Sequence, residues 1–219
     1  MASRNTFRRE LEVLQRDLLK MGTMVEASIF TAVKSLKEGD AQAAQAIVDG
    51  DASIDALEVD IERRSLQLLA LQQPMASDLR LIGTTLKIIT DLERIADHAA
   101  DIAKVTLRLA GQPLIKPLVD IPRMADISQQ MVAEGLQAFI ERDPERAERM
   151  ALRDEEVDHL YNQIFRELLV IMLEDPRTVR QATYLLFVAM YLERVADHAT
   201  NLAEWVIYMV TGDRRELND

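Results

Sequence analysis

Leu92-Glu93-Arg94-Ile95-Ala96-Asp97-His98-Ala99-Ala100-Asp101-Ile102-Ala103 recurs 100 positions later as Leu192-Glu193-Arg194-Val195-Ala196-Asp197-His198-Ala199-Thr200-Asn201-Leu202-Ala203, with eight of the twelve positions identical. Upstream in each half, Asp40, Asp51 and Asp55 match Asp143, Asp154 and Asp158 at an offset of 103. The loops around Pro74 and Pro176 absorb the three-residue slip. Two points of register per half make the chain a duplication, so whatever one half folds into, the other repeats.

The repeated unit is helical. Only 7 Gly and 6 Pro occur in 219 residues, most of them between long periodic stretches, as in chains of long helices with few tight turns. Leu11, Leu14, Leu18, Met21, Val25, Ala32 and Leu36 step by three and four, the stripe of a helix facing a bundle. That helix is expected to end near Glu38-Gly39. A second starts near Asp40, carries Ile54, Leu57, Ile61, Leu68 and Leu71, and stops at Pro74, with a kink expected at Asp49-Gly50-Asp51. A third, over residues 76–110, turns Leu79, Ile82, Leu86 and Ile89 inward and ends at Gly111, suited to the left-handed position after a helix. Pro113, Pro117 and Pro122 then interrupt the pattern. It restarts over residues 123–141, 144–174 and 177–211, Gly212 matches Gly111, and residues 213–219 are expected to fray. The expected architecture is all-α: two tandem three-helix bundles, six long helices related by internal pseudo-symmetry, over residues 1–111 and 123–219 with a Pro-containing linker at 112–122.

Composition removes several classes of function. With 26 basic and 37 acidic residues the net charge is -11, a field that repels nucleic acid. The chain has no cysteine, so disulfides, thiolate zinc sites, iron–sulfur clusters and thiol catalysis are excluded. The first residues lead into charge without the apolar core of a signal peptide. The longest apolar run, residues 184–192, is under half of the roughly 20 needed to cross a bilayer. A cytoplasmic protein is expected. No Gly-rich phosphate loop, nucleophile elbow or Ser/His/Asp set is visible, so nothing points to an enzyme.

Chemistry enters where acids continue an apolar stripe. Inward from Ile82, Leu86 and Ile89 the next positions fall on Glu93 and Asp97, and Leu186 and Ala189 lead likewise to Glu193 and Asp197. Glu93, Asp97 and Asp101 drift over only about 80° of a helix, so they share one face. Asp51 with Asp55, and Asp154 with Asp158, form further pairs four apart on the neighbouring helices. Ionised carboxylates gathered out of water need compensation. Hard cations on oxygen ligands supply it in one reading, with more than one ion per half. Pairing with Arg94 and Arg194 supplies it in another, and in a third the acids line a solvated groove.

His98 and His198 rotate about 100° away from the acid face and read as structural residues or supports for the ligands. Tyr191, Trp205 and Tyr208 read as core or interface. Glu156-Val157-Asp158-His159 contains the Glu-x-x-His of di-iron carboxylate proteins, which need it on two helices; only one copy exists.

At these residues the sequence resembles the PhoU family of regulators of bacterial phosphate uptake, over essentially the whole chain. The likeness rests on Leu92-Glu93-Arg94-Ile95-Ala96-Asp97-His98, on its second copy from Leu192 to His198, and on Ala70-Leu71-Gln72-Gln73-Pro74-Met75-Ala76-Ser77-Asp78-Leu79-Arg80. Residues 26–39 and Glu174-Asp175-Pro176-Arg177-Thr178 resemble it too. The resemblance implies tandem three-helix bundles binding metal through repeated E(D)-x-x-x-D motifs. Here these are Asp51 with Asp55, Glu93 with Asp97, Asp154 with Asp158, and Glu193 with Asp197. Asn201 continues the family motif, whereas Asp101 departs from it by adding an acid. The implied metals are manganese, iron, magnesium or zinc.

The implied role is negative regulation of phosphate uptake and of the phosphate-starvation response. It would be exercised as a homodimeric cytoplasmic adaptor between the ATPase of the phosphate-specific ABC transporter and a PhoR-type sensor histidine kinase, with peripheral membrane association through these partners. The alternatives are a ferritin-like di-iron carboxylate oxidase and a metal-free structural helical dimer.

Overall fold

The computed structural model describes residues 2–72 and 74–217, with side chains from Asn5 onward; Gln73 of the family-like stretch lies outside the described residues. Among these, the chain forms α1 (Ala2–Glu38), α2 (Ala41–Gln72), α3 (Ala76–Leu109), α4 (Asp120–Glu141), α5 (Pro144–Ala151), α6 (Asp154–Glu174) and α7 (Val179–Thr211), with a 3₁₀ turn at Pro176–Thr178. No strand occurs among the described residues.

All seven residues of the α1 stripe are buried, and Phe7, Ile29 and Val33 join them. This face packs on α2, α3 and α4, so the first helix already ties the two halves together. α3 and α7 each bury a long row of small and branched residues, among them Ala96, Ala99 and Ala103, and Ala196, Ala199 and Ala203. Alanines at the contact let helix axes approach closely, and α3 and α7 lie directly against each other. Their antiparallel register is marked by Arg80 Nε donating to the Met209 carbonyl at 3.0 Å, Thr84 Oγ1 donating to the Trp205 carbonyl at 3.4 Å, and Asp91 meeting His198. The two three-helix units therefore share one continuous core, with α2 and α6 on its flanks.

The matched aspartates Asp40 and Asp143 are helix caps. Asp40 Oδ1 accepts from the Ala43 N–H, and Asp143 Oδ1 from the Arg146 N–H with Pro144 at the first helical position, both at 2.9 Å. Gly111 and Gly212, at φ 75° and 85°, occupy the left-handed positions expected after α3 and α7.

The structure departs from expectation at four places. α2 runs unbroken through Gly50, whereas the fifth expected helix divides at Leu152 and Arg153, the latter being the repeat counterpart of Gly50. The Arg153 guanidinium reaches Glu134 at 3.0 Å and Gln130 at 2.8 Å on α4, anchoring the break sideways. α4 begins at Asp120, so Pro122 sits within its first turn, where a missing N–H costs little. Leu71 and Leu79, 76% and 49% exposed, flank the turn at Pro74 where no helix covers them. Finally, residues 213–217 fold back and bond to α5 and α7.

Candidate functional site

Each repeat gathers acids between its flanking helix and its central one, α2 against α3 and α6 against α7. These faces lie beside the buried seam and not in it. Glu93, Asp97, Asp101, Glu193 and Asp197 are half-buried, whereas Asp55 and Asp158 are exposed.

In the first repeat the acids find internal partners. Arg94 lies 3.4 Å from Glu93 and 3.3 Å from Asp97, and Lys104 lies 2.8 Å from Asp101. Asp51 is nonetheless pushed up, by burial first and then by Asp55 and Asp97, with Lys104 opposing. Burial also raises Glu93, with Asp97 adding to it and Arg94 opposing. Glu58 belongs to the same cluster, although the repeat does not mark it. Burial and Glu62 raise it, Asp55 adds to this, and its carboxylate accepts from Thr90 Oγ1 at 3.5 Å. The available signal was its place one turn beyond Asp55; its repeat counterpart is Tyr161, which hid it.

The second repeat is less compensated. Asp154, Asp158, Glu193 and Asp197 line a cleft of about 760 Å³ with Glu148, Glu155 and Leu217. Because α6 starts at Asp154, that carboxylate sits in the first turn of a helix, where the dipole favours negative charge. Burial, then Asp158, Asp197 and Glu193, still push Asp154 up to about 7. Its Oδ1 is buried without a hydrogen-bond partner. Burial raises Glu193 and Asp197 as well, with Arg194 opposing in both cases. Arg194 makes no ion pair among the described residues, so the pairing of Glu93 and Asp97 with Arg94 has no counterpart at Glu193 and Asp197.

Three of the singled-out residues face the contact between repeats. His198 Nδ1–H donates to Asp91 Oδ1 at 2.9 Å, and Asn201 Nδ2 donates to the same oxygen at 3.1 Å. Asn201 is thus engaged with Asp91. His98 stacks on Tyr191 at 5.7 Å and lies 5.8 Å from the His198 ring. Burial, His198 and Arg194 lower His98 to about 4, and its Nδ1 is buried without a partner. Asp91 precedes the recurring motif by one residue and its counterpart is Tyr191, so comparison of the repeats passed over it. The lone Glu-x-x-His is engaged on the surface: Glu156 pairs with Arg123 at 2.6 Å, and His159 is exposed.

An all-oxygen donor set with an orphaned Asp154 Oδ1 fits a hard cation in chemistry. Among the described residues no group of three or more His, Asp or Glu side chains is placed to hold a metal ion.

The PhoU domain model matches the chain twice, at residues 18–106 and 121–206. A phosphate-specific transport system accessory protein PhoU homolog from Clostridium acetobutylicum is 43% identical over 218 residues, spanning 99% of this chain and 100% of the relative. Another from Aquifex aeolicus is 42% identical over 205 residues, spanning 94% of this chain and 93% of the relative. The crystal structure of PhoU from Pseudomonas aeruginosa superposes with a TM-score of 0.91 at 38% identity, covering 94% of this chain and 100% of that one. That of the phosphate transport system regulatory protein PhoU from Streptococcus pneumoniae gives 0.89 at 31%, covering 96% and 100%.

Proposed function

The chain belongs to the PhoU family, and on that premise we propose that it is an accessory protein of phosphate transport that represses phosphate uptake and the starvation response when phosphate is plentiful. It acts as a cytoplasmic homodimeric adaptor between the transporter ATPase and a PhoR-type sensor histidine kinase, without turning over a substrate. The observation that carries this reading is likeness over the full length to relatives named as phosphate-specific transport accessory proteins. No helix among the described residues is long and apolar enough to cross a membrane.

The acidic clefts are its cation sites on this reading. Asp154, Asp158, Glu193 and Asp197 would hold an ion in the second repeat, and Asp51, Asp55, Glu93, Asp97 and Asp101 in the first. A bound cation supplies positive charge between the helices. The carboxylates on α6 and α7 lack the ion-pairing cationic side chains that serve those of the first repeat.

In the bacterium that carries this chain, deleting its gene is expected to leave a phosphate-starvation reporter active in phosphate-rich medium, with the parent gene restoring repression. A reporter that stays silent in the deletion strain overturns the regulatory reading. Co-purification of the tagged chain with the transporter ATPase and the kinase tests the adaptor role; recovery of neither removes it.

A further inference from the structure

Beyond α7 the chain reverses at Gly212, whose N–H donates to the Tyr208 carbonyl at 2.8 Å. The next residues are pinned on three sides. Arg214 sits 5.3 Å over the Trp205 ring, Arg215 Nη1 lies 3.0 Å from Glu148 Oε1 on α5, and the Leu217 N–H donates to Glu204 Oε1 at 2.8 Å. The Leu217 side chain packs against the core and forms part of the wall of the second acidic cleft.

Glu204 explains why the segment is held there. It is a buried carboxylate, 8% exposed, and such a group needs a donor. Its hydrogen bond comes from the Leu217 backbone. The repeat counterpart, Lys104, is exposed and pairs with Asp101, so no matching acceptor exists in the first half. The chain leaving α3 is drawn elsewhere: Gln181 donates to the Pro113 carbonyl at 3.0 Å and accepts from the Ile115 N–H, and Lys116 pairs with Glu167.

We propose that residues 213–217 form a strap closing one end of the second acidic cleft, which sets how readily cations and other solutes reach Asp154, Glu193 and Asp197 and has no counterpart in the first repeat. The identity of the cation rests on the metal reading above; the closure rests on Glu204, Glu148 and Leu217 alone. Lifting the strap costs one exposed ion pair, one hydrogen bond to a buried carboxylate, the contact of Arg214 with Trp205 and the packing of one leucine, few enough contacts for closure to be reversible.

Carbodiimide-driven amidation of carboxylates, read residue by residue by mass spectrometry on metal-free protein, tests the strap directly. Against the full chain stand a truncation after Gly212 and a double variant, Arg215→Ala with Leu217→Ser. Both are expected to raise labelling of Asp154, Glu193 and Asp197 severalfold while Asp51 and Glu93 stay unchanged. Unchanged labelling at the second cleft overturns the strap, as does an equal rise in both repeats, which reports general loosening. Manganese(II) loaded into the same proteins and trapped by a chelator is expected to leave the second site about tenfold faster without the strap, the factor set by a contact network of this kind. Equal release rates overturn control over cations. Labelling that rises although no form retains manganese supports the strap and overturns the metal reading, so the two fail separately.

Discussion

His198 and Asp91, 107 positions apart in sequence, meet at 2.9 Å across the contact between the repeats. Exchanging each repeat for the other turns this pair into His98 and Tyr191, which stack at 5.7 Å. One pseudo-two-fold position thus holds a charge-assisted hydrogen bond and its mate an aromatic contact. A duplicated chain has diverged where the copies touch, because there each copy packs against its own counterpart.

Asp91 is 9% exposed and accepts from both His198 and Asn201. Asp91→Ala is expected to cost about 2–3 kcal/mol, because two donors lose a charged acceptor. In a double-mutant cycle with His198→Ala, urea denaturation is expected to show a coupling of about 1 kcal/mol or more. Additive losses would mean that the pair contributes nothing of its own.

Asp154 and His98 bend the dependence of stability on pH in opposite senses. The native state keeps a proton on Asp154 up to about 7, while the unfolded chain releases it near 3.8. The native state binds more protons in that window, so stability falls as pH rises through it and is level above. His98 gives up its proton near 4 in the native state against 6.5 when unfolded, so its share of stability is lost as pH falls from 6.5 towards 4. Relative to the parent, Asp154→Asn is therefore expected to gain stability with rising pH, reaching about 1–2 kcal/mol at pH 8 after screening in the half-open cleft. His98→Gln is expected to gain as pH falls. Denaturation at several pH values checks both; variant curves parallel to the parent's would refute the assignments.

Thr200 is fully buried on α7 and its hydroxyl has no hydrogen-bond partner; its repeat counterpart is Ala100. Thr200→Val keeps the shape and removes the stranded hydroxyl, so about 1 kcal/mol of stabilisation is expected, a rise in Tm of roughly 2–4 °C. Calorimetry showing a lower Tm would reveal a partner for that hydroxyl.

Cation retention is expected to differ between the repeats. After dialysis against manganese, elemental analysis should find the Asp154→Asn, Asp197→Asn double variant depleted, and Arg94→Gln retaining more than the parent, since Arg94 competes for Glu93 and Asp97. Chelation is expected to lower the Tm of the parent and leave that of the double variant less changed. Equal retention in all three would assign the acids to another role.

Much of this molecule was legible because period and repetition are properties of the chain itself. Every position of the α1 stripe is buried, and Gly39, Gly111 and Gly212 end helices where expected. The repeated carboxylates do fall on facing helices. What a one-dimensional pattern missed are positions whose character is set by a neighbour: Leu79 reads as core but has no helix over it, and Gly50 reads as a break while Arg153 provides one by reaching α4.

The duplication, the helical class and the acids on one helix face follow from sequence alone, since side chains three and four apart share a face wherever the helix is placed. Only the tertiary structure decided that the two acidic sites are unequal. Arg94 and Lys104 fold onto the first site, while the second leaves the Asp154 Oδ1 buried without a partner and receives Leu217 at its edge. Burial and charge compensation depend on what lies across the gap. Residues far apart in the chain set them, and identical motifs acquire different electrostatics from different surroundings.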